Sequence, residues 1–104
     1  MSWFKLDDNF GNHPKVNRAG NAAAGLWVRC GTYCAQYLTD GHIPLEVAGQ
    51  FGNRKEIEAL LDAGLWVQNG DGYVMPDYLE YNPSREETLT KREAERVRKA
   101  GGIR

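Results

Sequence analysis

Two cysteines, two histidines and a scatter of carboxylates are the groups in this 104-residue chain that could bind a metal or attack a substrate. Cys30 and Cys34 lie four apart, and His13 and His42 stand elsewhere. Structural zinc sites favour Cys-x-x-Cys turns and need four ligands. A four-residue step instead puts both thiols on one side of a helix, beside Leu26, Trp27 and Leu38, which predicts reduced thiols packed in a core, with no metal and no disulfide. Asp7, Asp8 and Asp71 sit in turn-forming runs without a partner carboxylate at fixed spacing, so turn chemistry accounts for them. No Ser/His/Asp ordering, glycine-rich phosphate loop or His-Glu-x-x-His is present. The expectation is a chain that is not an enzyme and needs no cofactor.

Binding chemistry is easier to place. Asn53, Arg54 and Lys55 stand together, and Asn and Arg suit base edges while Lys suits phosphate. Lys15, Arg18 and Arg29 could add phosphate contacts from the first part of the chain. The tail carries Arg85, Lys91, Arg92, Arg96, Arg98, Lys99 and Arg104, interleaved with Glu86, Glu87, Glu93 and Glu95. Pairs such as Glu95–Lys99 would support a helix, and the surplus cations would face a partner. Residues 1–84 hold 6 Lys/Arg against 10 Asp/Glu, whereas residues 85–104 hold 7 against 4. Phosphate neutralisation supplies most non-specific DNA affinity, so an acidic body can touch DNA only locally. The candidate DNA-binding set is Asn53, Arg54, Lys55, Lys15, Arg18, Lys91, Arg92 and Arg96.

The elements that must position these residues follow from periodicity. Trp3-Phe4-Lys5-Leu6 is strand-like, and His13-Pro14-Lys15-Val16 can open a brief helix with Pro14 in its first turn. Gly20 reads as a stop and Asn21 as an N-cap. From Asn21 to Leu38, residues Ala23, Leu26, Trp27, Cys30, Cys34, Tyr37 and Leu38 recur at helical steps. Gly41 to Pro44 is a short apolar element, and Leu45, Val47, Ala48 and Phe51 make a short helix. Asn53 can cap the next one, whose core side is Ile57, Leu60, Leu61 and Gly64, with Lys55, Ala59 and Asp62 opposite. Leu65-Trp66-Val67 and Tyr73-Val74-Met75 flank a turn over residues 68–72 whose Asn and Gly tolerate positive φ. Its tip has no Lys or Arg, so it offers little to a minor groove. Ser84 can cap a charged final helix over residues 85–99, closed by Gly101-Gly102.

That order predicts an α+β fold: a winged helix-turn-helix over residues 1–83, with a projecting charged C-terminal helix or tail over residues 84–104. Trp27, Cys30, Cys34, Ile43, Val47, Ile57, Leu60, Leu61, Leu65, Trp66 and Val74 are its expected core. No apolar run approaches the roughly 20 residues needed to cross a bilayer, and the first residues lack a basic and then apolar leader. A cytoplasmic protein away from membranes is expected. Its partner is double-stranded DNA, met by the first turn of the helix after Asn53, since a recognition helix enters the groove with its N-terminal residues. One small helix reads few base pairs, so a homodimer follows. The alternative is a protein-interaction module binding a replication or host protein through its aromatic surface and tail.

Six segments carry a family resemblance: Trp3 to Asp8, His13 to Val16, Ala24 to Arg29, Leu38 to Pro44, Ala63 to Trp66 and Tyr81 to Glu86. With them the chain, from residue 3 to about 87, resembles small winged-helix proteins of actinobacterial phages and prophages, of the replication-initiation or helicase-loader-like kind. The resemblance implies a module that binds origin DNA or a replication partner, with residues 88–104 at the place where a longer relative would continue into a partner-binding region.

Overall fold

A computed structural model describes residues 3–102. The chain is α+β, mostly helical, with one small antiparallel sheet and a long C-terminal helix. Among the described residues, no helix is long and apolar enough to cross a membrane.

Asp7 makes the first turn, its carboxylate accepting the Asn9 N–H at 2.8 Å. Helix α1 (Pro14–Ala19) starts with Pro14 in its first turn and with His13 as the cap. The His13 Nδ1 accepts the Lys15 N–H at 3.1 Å. Gly20 (φ 90°) both closes α1 and precedes α2 (Asn21–Tyr37). Asn21 is therefore the first helical residue rather than the expected cap, because the Gly20 carbonyl already accepts the Ala24 N–H. Along α2, Ala23, Leu26, Cys30, Gly31, Cys34 and Ala35 are buried. Tyr37, expected on this face, is 56% exposed. The helix stops there as Leu38 turns left-handed (φ 55°).

Asp40 (φ 55°) and Gly41 (φ 90°) continue the left-handed turn. Only glycine fits at 41, since an added Cβ would lie 2.6 Å from the Tyr78 Cβ. The turn delivers β1 (His42–Pro44) to the sheet, whose order is β1-β3-β2. Helices α3 (Leu45–Phe51) and α4 (Arg54–Ala63) come next. Then β2 (Val67–Asn69) and β3 (Gly72–Val74) form a hairpin with Asn69 opposite Gly72. The strands sit later in β2 and earlier in β3 than the apolar runs suggested. Gly70 supplies the positive φ (60°) for a two-residue turn, and that fixes the register. Trp66, freed from the strand, is buried and stacks on Tyr73 at 5.2 Å.

Residues Trp3 to Leu6 form no strand. The Phe4 ring packs against Trp27 at 5.1 Å, and the Lys5 N–H donates to Asn82 Oδ1 at 2.9 Å, a side-chain partner in place of a neighbouring strand. Asn82 follows the short helix α5 (Tyr78–Tyr81) and is itself buried, its Nδ2 donating to the Tyr78 carbonyl. Helix α6 (Arg85–Gly102) then leaves the body and runs through Gly101 and Gly102.

Trp66, Ile43, Leu60, Cys30 and Cys34 form the centre of the core. Trp27, Val47, Ile57, Leu61 and Leu65 are only partly buried around it. The residues the periodicity undervalued are Tyr73, Met75 and Tyr78, which close the core from the sheet side. Both thiols are fully buried, as the four-residue spacing predicted. Burial pushes the Cys30 thiol up to about 12 and raises Cys34 as well.

Candidate nucleic-acid interface

Helix α4 is built to expose its first turn. Asn53 is the N-cap, its Oδ1 accepting the Glu56 N–H at 2.9 Å while Glu56 Oε1 accepts the Asn53 N–H at 2.9 Å. This reciprocal box satisfies two of the orphan donors at the helix start. It also engages the Asn53 oxygen and leaves the amide Nδ2 as that side chain's hydrogen-bond donor. Gly64 (φ 81°) closes the helix, its N–H donating to the carbonyls of Leu60 and Leu61.

The buried side of α4 is rotated from the expected one. Leu60 and Ala63 are buried and Ala59 is partly buried, because α1 and α2 both pack on this helix. Ala59 is thus not opposite the core. Asn53, Arg54, Lys55, Glu58 and Asp62 are exposed.

Arg54 has a side chain 92% exposed, and its Nε donates to Glu58 Oε1 at 3.0 Å. The i,i+4 step from Arg54 to Glu58 is the sequence signal for this pair. The pair is exposed on both sides, so it contributes no more than about 1 kcal/mol and is readily exchanged for another partner. Lys55 stands beside it, exposed.

Lys15 does not join this cluster. Its ammonium lies 3.8 Å from where a Cβ would stand on Gly64, the C-terminal end of α4. A 10-residue helix is roughly 15 Å long, so Lys15 sits a helix length from Arg54. It complements the negative end of the helix there. Arg18 is exposed on α1, less than a turn beyond.

On α6 the Ser84 Oγ accepts the Glu87 N–H at 3.0 Å, capping the helix start. The Arg85 N–H donates to Asp40 Oδ1 at 2.6 Å, tying that start to the turn before β1. At roughly 100° per residue, Arg85, Arg92, Arg96 and Lys99 fall within about 60° of one another. They form one basic stripe on a helix of 18 residues. Lys91 lies roughly 100° round from Arg92 and outside that stripe. Arg96 donates from Nε to Glu93 Oε2 at 3.1 Å. The anticipated Glu95–Lys99 pair does not form, and Glu93–Arg96 takes its place.

The hairpin tip, Gly70-Asp71, carries no cation. Among the described residues, no three His, Cys, Asp or Glu side chains come together in a way that could hold a metal.

No protein-family model matches this chain, and no solved structure matches it. The acetyl-coenzyme A carboxylase carboxyl transferase subunit beta of Pelobacter propionicus is 28% identical over 92 residues, an alignment covering 82% of this chain and 32% of that protein. The chain thus spans about a third of the length of the curated relative to which it is similar.

Proposed function

We propose that this chain is a winged-helix protein that binds double-stranded DNA, acting in phage-type replication initiation or transcriptional control. The element order supports it: α2, β1, the α3–α4 pair and the β2–β3 hairpin follow the helix, strand, helix-turn-helix and wing of that fold. The observation that carries the reading is the exposed first turn of α4, where Asn53, Arg54 and Lys55 stand clear of the body at a helix N-terminus. A helix N-terminus favours phosphate through its dipole and free N–H groups. In the major groove, Lys55 meets phosphate, while Arg54 exchanges Glu58 for a base edge and Asn53 donates from Nδ2.

The basic stripe of α6 provides the neutralisation that the body lacks. Arg92, Arg96 and Lys99 grip flanking phosphates, with Arg18 at a more distant backbone position. The uncharged hairpin tip contributes shape alone. Two copies on a two-fold site give enough base contacts for specificity.

Fluorescence polarisation with 20-base-pair duplexes between 50 and 200 mM salt tests the reading. Affinity should fall steeply with salt, as phosphate release of counterions requires. Weak binding that ignores salt would remove it.

One observation favours a second reading, a protein-interaction module of helicase-loader or host-factor-binding type. A cavity of about 240 Å³ opens between the N-terminal segment and the body, walled by Phe4, Phe10, Trp27, Leu65, Met75 and Tyr81. Aromatic anchors and pockets of this sort dominate protein interfaces.

A further inference from the structure

The face made by α2 and α3 differs in chemistry from the rest of the body. Arg29, Thr32, Tyr33, Gln36 and Tyr37 follow one another at helical steps along the outside of α2. With Val47, Gln50 and Phe51 of α3 they line a groove of about 200 Å³. The body holds 10 carboxylates, and none lines this groove. Glu46, one turn before Gln50, stands on its flank.

The groove's cation is held ready. The Arg29 guanidinium lies 4.5 Å over the centre of the Phe51 ring. Arg54 and Arg96 each hold a carboxylate on their own helix, whereas Arg29 holds an aromatic face. Stacking leaves the N–H edge of a guanidinium open to a phosphate. Eight residues along the same helix, Tyr37 is 56% exposed, and its ring lies 4.8 Å from that of the half-buried Tyr33. Gln36 and Gln50 line the same groove and add amides that both donate and accept.

We infer that this face is a second nucleic-acid site, one that takes a single strand. A base stacks on Tyr37 with its edge read by the glutamine amides, and the adjoining phosphate pairs with Arg29. Proteins hold unpaired bases by stacking them on aromatic rings beside cations that follow the backbone, and this groove offers the exposed Tyr37 ring and one such cation, Arg29. A duplex hides its base faces, so it cannot use Tyr37 in this way. The groove shares no lining residue with the first turn of α4, although Phe51 lies two residues before Asn53, and it does not depend on that turn entering a groove.

Fluorescence polarisation of labelled oligothymidylate in 150 mM salt, with a duplex of equal length measured in parallel, tests the inference. The wild type should bind the single strand. Tyr37→Ala should weaken it by about 5- to 150-fold, the range of one base–aromatic stack, whereas Tyr37→Phe, which keeps the ring, should bind as the wild type does. Arg29→Gln should flatten the salt dependence by about 0.7 in log–log slope, one single-strand phosphate. Tyr37→Ala should leave duplex affinity unchanged. Circular dichroism melts establish that each variant is folded. Absence of single-strand binding by the folded wild type would overturn the inference. So would equal affinity in Tyr37→Ala, or equal losses for single strand and duplex. A failure of duplex binding alone overturns the proposed function and leaves this site standing.

Discussion

Arg54 reaches across one turn of α4 to Glu58, Nε to Oε1 at 3.0 Å, on the surface proposed to meet DNA. The pair neutralises the strongest candidate for base reading in the free protein. Binding must therefore break a surface ion pair, and removing the carboxylate removes that cost. Glu58→Ala is expected to tighten duplex binding by about two- to fivefold, the worth of an exposed pair. Titration of both proteins against one duplex checks it.

Asn53 has two jobs that substitution can separate. Asn53→Ala loses the cap and should cost about 1 kcal/mol of stability. Asn53→Ser keeps a capping oxygen but has no amide Nδ2. If Nδ2 reads a base, Asn53→Ser should unfold in urea close to the wild type and still lose duplex affinity by about fivefold, the weaker end of a base contact. Urea melts and polarisation together give the answer.

Phe4 lies so close over Gly31 that a Cβ there would meet the ring at 2.2 Å. Gly31→Ala should destabilise by about 1–3 kcal/mol through overpacking. In a Phe4→Ala background the same change should be neutral or stabilising by up to about 1 kcal/mol, the helix preference for alanine. A double-mutant cycle of urea unfolding energies reads the coupling.

The buried thiols set an alkaline limit. Burial raises Cys30 to about 12 and raises Cys34, and Tyr78 is pushed to about 12 chiefly by its own burial. The unfolded chain loses these protons first, near the ordinary thiol and phenol values. Stability should be full below about pH 9 and fall as pH rises toward 12. Urea midpoints across that range check the direction, and Cys30→Ala should lessen the slope.

Much of this was legible in the sequence where local rules dominate. Pro14 at a first turn, Asn53 as a cap and Gly70 in the hairpin each follow from backbone chemistry. So does the shared side of Cys30 and Cys34. What the sequence hid was tertiary. Trp3 to Leu6 reads as a short strand-like run, yet Phe4 is drawn into the aromatic group of Trp27 and Tyr78. Ala59 looked solvent-facing until α1 and α2 packed on α4 from that side. The candidate site divided in the same way: Asn53, Arg54 and Lys55 are contiguous and stay together. Lys15 is parted from them by the length of a helix, and Lys91 by a rotation about one.

The central claim is that the first turn of α4 touches the backbone of a duplex. The slope of log affinity against log salt, measured for the wild type and for Lys55→Ala on the same DNA, tests it most directly. Loss of one phosphate contact should make the variant's slope shallower by about 0.9 and weaken binding at low salt. Superimposable lines for the two proteins would contradict it.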